Sequence, residues 1–124
     1  MSRQTVHLSV PAQAAFARTV RMMAANLAVV CDMSVDEVED VRMAAEEGFV
    51  VCCATAPESC EVSFALDVGE VRTSFALGPM PIDEGDDALD LAELLLSAIC
   101  DEHGVTEDGR TLNLVKRAES AYGE

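Results

Sequence analysis

Glu47 and Val51 stand four residues apart in Asp40-Val-Arg-Met-Ala-Ala-Glu-Glu-Gly-Phe-Val-Val-Cys-Cys-Ala-Thr55, so a helix puts both side chains on one face, one turn apart. A carboxylate can accept a proton, but valine has no lone pair for a metal that demands oxygen ligands. The competing reading makes Glu47 a solvated helix residue, beside a Glu46 that can pair with Arg42 at four-residue spacing. Arg18 and Arg21, three apart, share a helical face and form a basic cluster in an acidic chain. They suit either contact with a protein partner or an ordinary wet helix face.

The remaining candidates point away from chemistry. Cys31, Cys52, Cys53, Cys60 and Cys100 are odd in number, lack a Cys-x-x-Cys pair and have no His at ligand spacing, so they read as buried reduced thiols. Cys52 and Cys53 point about 100° apart on a helix, which argues against a shared metal. His7 and His103 are far apart and suggest no relay. The run Asp83-Glu-Gly-Asp-Asp87 lacks the ligand alternation of a calcium loop. It reads as a solvated loop and a helix N-terminus, where acids suit the helix dipole.

These residues need elements to position them. Thr5 to Val10 alternates as a short strand, and Pro11 suits the first turn of a helix running to about Cys31. Ser34-Val-Asp-Glu37 matches a capping box. It opens a second helix whose inward stripe is Val35, Val38, Val41, Ala45, Phe49 and Cys52, and which ends at Pro57. Val62 to Val68 and Val71 to Leu77 alternate about a Gly69-Glu70 turn. A third helix is expected from Asp86 to Glu102, with Leu89, Ala92, Leu95 and Ile99 inward and Asp90, Glu93, Ser97 and Asp101 as its polar stripe. Gly104 to Thr106 and Thr111 to Arg117 close the chain as a hairpin. The order β-α-α-β-β-α-β-β implies an α+β sandwich.

With 124 residues, half of them hydrophobic, one domain is expected over the whole of 1-124. It can bury about two-thirds of its unfolded surface without a metal or disulfide. A net charge of -15, from eight Lys and Arg against 23 Asp and Glu, repels nucleic acid and anionic membranes. Four Phe and one Tyr give no stacking platform for single strands. Met1-Ser-Arg-Gln lacks the apolar region of a signal peptide and no apolar run reaches membrane-spanning length, so the cytoplasm is the expected compartment.

That element order, with Phe16-Ala-Arg18 and Glu39-Asp-Val-Arg-Met-Ala-Ala-Glu-Glu47, resembles the anti-sigma factor serine kinases of bacterial partner-switching systems, small relatives of the GHKL ATPases. The likeness spans nearly the whole chain, and Gly109-Arg-Thr-Leu-Asn-Leu-Val-Lys116 looks like the family's final strands. It implies a histidine-kinase-like ATPase fold: a two-layer sandwich with a mixed, mostly antiparallel sheet of about five strands and three helices on one face.

The resemblance also assigns roles. In the family a helix-two Glu is the general base and an Asn four positions on holds magnesium. Glu47 takes the first position and Val51 the second. The family's adenine-reading Asp-x-Gly-x-Gly falls on Ala76-Leu-Gly78-Pro-Met80, which keeps Gly78 alone. Its phosphate-cradling Gly-x-Gly falls on Asp90-Leu-Ala92, where a carboxylate would face phosphate. Thr111 matches the family's late Gly-Thr motif. ATP and magnesium are thus the family's cofactors, and losses at Val51, Ala76, Asp90 and Ala92 imply that neither is bound and no other metal is needed.

The expected function is a regulatory protein that binds a sigma factor or a STAS-type anti-anti-sigma protein, with the Arg18 and Arg21 face in contact. The alternatives are an active serine/threonine kinase using Glu47, and a non-catalytic dimerising domain. Family members pair, so a homodimer is expected.

Overall fold

The computed structural model describes residues 3–83 and 85–119. The chain runs β1 (Gln4–Val10), α1 (Ala17–Val30), α2 (Val35–Ala54), β2 (Cys60–Asp67), β3 (Glu70–Ala76), α3 (Asp87–Ile99), β4 (Glu102–Val105) and β5 (Thr111–Arg117). The expected order of elements is the observed one. Among the described residues no helix is long and apolar enough to cross a membrane.

The five strands lie in the order β1-β2-β3-β5-β4, and every pairing is antiparallel. This corrects the expectation of a mixed sheet. The helical hairpin α1–α2 returns the chain to the end of the sheet it left, since Val10 closes β1 opposite Cys60, the first residue of β2. Alternation sends Val62, Phe64 and Leu66 of β2, Val71, Thr73 and Phe75 of β3, and Leu112 and Leu114 of β5 into the core. All three helices cover that face, leaving Glu61, Ser63, Ser74 and Asn113 on the other.

Several local expectations shift. Pro11 does not open α1: Gln13 is extended and a short 3-10 turn at Ala14–Phe16 intervenes, because Ala12 packs against the core instead of entering a helix. The β2–β3 turn is Val68-Gly69, since Glu70 already pairs with Asp67, and Gly69 supplies the left-handed φ of 70°. Val35 is 81 % exposed, at the first position of α2 and ahead of the buried stripe. In α3 it is Leu96 that is buried, with Leu95 only half-buried. That helix stops at Ile99, because Cys100 is extended and the Asp101 amide donates to the Val115 carbonyl. Asp101 therefore leaves the polar stripe.

α2 is the central element, packed on α1, α3 and the sheet. Gly48 sets its height. A Cβ there would lie 2.4 Å from Phe75 Cε2 and 3.0 Å from Leu114 Cδ1, and both side chains are buried. Glycine in a helix interior costs about 1 kcal/mol against alanine, which the close seating of helix on sheet offsets. All five cysteines are free thiols. Cys53 and Cys100 are only half-buried, and Cys60 Sγ lies 3.6 Å from Cys52 Sγ.

The capping box is formed: Glu37 N donates to Ser34 Oγ (3.2 Å) and Ser34 N to Glu37 Oε1 (2.8 Å). Glu37 is also 7 % exposed, and its second oxygen accepts the Glu119 amide at 2.7 Å. The Ser34 amide, working against burial and aided by the Glu119 amide, holds this carboxyl below the usual carboxylate range. A depressed folded-state pKa means that the charge stabilises the fold fully above the ordinary value and ceases to do so as pH falls through the folded value. Glu37→Gln should therefore lose about 1.5–3 kcal/mol at pH 7, the worth of hydrogen bonds to a charged group. In urea denaturation its deficit should shrink as pH is lowered below about 4.5. A deficit that stays constant down to pH 3 would remove the charge from this account.

Candidate functional site

Glu47 sits beside Gly48 on α2, half-buried, and accepts no hydrogen bond from the described residues. Burial, and after it the Glu46 charge, pushes its carboxyl above the usual range. Glu46 does not pair with Arg42 as its spacing suggested. Its carboxylate meets Arg21 Nη1 at 3.4 Å, whereas Arg42 meets Glu39 at 2.6 Å. Arg21 is thus tied to α2 and half-buried, and only Arg18 of the expected basic pair is exposed.

One turn on, Val51 is buried and forms part of the floor of a cavity of about 210 Å³ between α2, α3 and the β4–β5 end of the sheet. Leu89, Leu96, Leu112, Ile82 and Val105 complete its apolar wall, and Asp83, Asp90, Glu93 and His103 its polar one. Val51 and Asp90, named from the sequence, are therefore brought together. Ala92, fully buried, packs in the core instead. His103 Nε2 lies 2.8 Å from Glu93 Oε2, and no Lys or Arg lines the cavity. A phosphate would meet the carboxylates of Asp83, Asp90 and Glu93, and among the described residues only His103, already paired with Glu93, stands by to offset the repulsion. The space is also below the roughly 300–1,000 Å³ of ordinary small-molecule sites.

Ala76, Gly78 and Thr111 gather elsewhere, in an open cleft of about 630 Å³ shared with Pro57, Glu58, Ser59 and Arg110. Ala76 and Thr111 are ladder partners on β3 and β5. Gly78 is small for an internal reason: its amide donates to Thr55 Oγ1 at 2.7 Å, and a Cβ would lie 2.3 Å from the Thr55 carbonyl oxygen and 2.4 Å from Pro57 N. The backbone it approaches is its own. The positions likened to a nucleotide site are thus divided between two recesses, and Glu47 lines neither.

The described part of the acidic run behaves as read; Glu84 lies outside the described residues. Asp86 caps α3 by accepting from Ala88 N (2.8 Å) and Leu89 N (3.2 Å), and Asp83 accepts the Gly85 amide. Among the described residues no three His, Cys, Asp or Glu gather to hold a metal.

One arrangement escaped the sequence. His7 Nδ1 lies 2.8 Å from Ser63 Oγ and its Nε2 lies 3.2 Å from Glu61, which also accepts from Ser9 and Ser59. The order Ser–His–Glu is that of an activated hydroxyl. Yet Ser63 lies in the sheet interior, with His7 on one side and Ser74 on the other. Its neighbouring amides are committed to the ladders, so none converge on a developing oxyanion. Only strand register reveals this cluster, and it serves as a polar seam between β1 and β2. No protein-family model and no curated protein matches this chain.

Gly78→Ala provides a test of why that glycine is there. Its methyl would strike three backbone atoms of the 55–57 segment, so a loss of at least about 2 kcal/mol in chemical denaturation is expected. Parent-like stability would mean that the contact with Thr55 and Pro57 is not what requires glycine.

Proposed function

We propose that this chain is a non-catalytic regulatory domain of the anti-sigma kinase type, which binds a sigma factor or a STAS-type anti-anti-sigma protein and has lost its nucleotide site. The reading is supported by the order of elements and the helix layer on one face of the sheet. The observation that carries the loss is the meeting of Val51 and Asp90 in one small acid-lined cavity. The first removes a magnesium ligand and the second sets a negative charge where phosphate would lie.

Each missing contact is worth about 1–3 kcal/mol, and a Kd of 100 μM represents only about 5.5 kcal/mol. Titration calorimetry with magnesium-ATP up to about 1 mM should show no saturable heat. A Kd tighter than about 100 μM would overturn the loss and favour an active serine/threonine kinase, in which Glu47→Ala abolishes transfer to the partner.

The chain also pairs with a second copy in this reading. Its support is β1, seven residues at the sheet edge, with one side unpaired among the described residues and available for strand addition. Light scattering at high protein concentration should give twice the chain mass, and a monomer would exclude this pairing.

A further inference from the structure

We propose that the cavity walled by Val51, Leu96, Asp90 and Glu93 receives an arginine or lysine side chain from a protein partner. The inference rests on the regulatory reading above, and it names the chemistry that the partner must present.

The cavity combines two features that a basic side chain matches in order. Its floor is aliphatic, built by Val51, Leu89, Leu96 and Leu112, and fits the methylene stem that such residues bury. Asp83, Asp90 and Glu93 supply carboxylates to the same space, where a guanidinium or ammonium head gains charge-assisted hydrogen bonds. Among the described residues neither Asp83 nor Asp90 is in a salt bridge. Among the described residues His103 is the one other ionisable group lining the cavity, and it is paired with Glu93.

The surroundings favour a protein over a free amine. Ile82 is 37 % exposed, Val105 42 % and Leu94 66 %. The first two line the cavity, and Leu94 follows Asp90 by one turn of α3. Ile82 and Val105 thus give the recess an exposed apolar rim that a protein segment flanking the basic residue would cover. A net charge of -15 adds complementarity, drawing a basic surface toward this one and repelling an acidic one. The volume suits one side chain and excludes a nucleotide.

The test is an NMR titration of the whole chain with N-acetyl-Leu-Arg-Leu-amide, and with the same peptide carrying neutral citrulline for arginine. Saturable shifts are expected at the amides of Val51, Leu89, Leu96 and Val105, with the arginine peptide binding at least about tenfold more tightly. Asp90→Asn with Glu93→Gln should weaken it by about tenfold while the spectrum stays dispersed. Equal binding of the two peptides, or shifts spread evenly over the acidic surface, would overturn the assignment. A chain that binds a sigma factor or anti-anti-sigma protein but ignores arginine overturns the cavity alone. Arginine-specific binding by a chain that engages neither protein overturns the regulatory reading and leaves the cavity standing.

Discussion

The contact of Gly48 with the Phe75 ring sets the distance between the two layers of this molecule. No other residue would let α2 lie so low, because a single methyl would enter the ring. The position of α2 in turn decides what its other residues can do. Val41, Ala45, Phe49 and Cys52 fill the space above the sheet, and Val51 is left at the side, facing α3 and the β4–β5 end. Glu47, next to the glycine, rides half-buried on the flank. A looser helix would open the same flank to water and lose the cavity.

Charge is distributed to match. The cations of the chain are largely spent on internal pairs: Arg21 with Glu46, Arg42 with Glu39, Lys116 with Asp40, and Arg117 with both Glu70 and Glu102. Exposed pairs of this kind contribute little stability one by one. Their effect is on what remains unneutralised, a surplus of carboxylates over much of the surface that includes Asp83 and Asp86 on the loop before α3 and Asp87 and Asp90 on α3 itself. An anionic ligand meets this surface at a disadvantage, and a cationic one is drawn to it.

Much of the fold was legible because it is local. Val62 to Leu66 and Val71 to Phe75 alternate since one side of each strand is buried, and Ser34 and Glu37 announce the start of α2 by bonding to each other. The choice of Leu96 over Leu95 was not legible, since it depends on the rotation of α3 against α2. Sheet direction and the His7, Ser63 and Glu61 cluster depend on which strands become neighbours, and the 3.6 Å approach of Cys60 to Cys52 depends on how α2 seats against β2. The candidate site suffered most. Val51 and Asp90 do converge, but Ala76, Gly78 and Thr111 belong to a different recess, and a linear motif carries no sign of that separation.

Glu37 reaches from the first turn of α2 to the amide of Glu119, 82 positions away. During synthesis the first half of its cap can form as soon as Ser34 and Glu37 are free, while the second must wait for residue 119. Until then a carboxylate destined for burial holds only its local partner, and the N-terminal end of the central helix stays wet. Long-range closure of this sort is slow compared with helix growth. The interval between making α2 and sealing it is the period in which a chaperone or protease would find the helix layer still accessible.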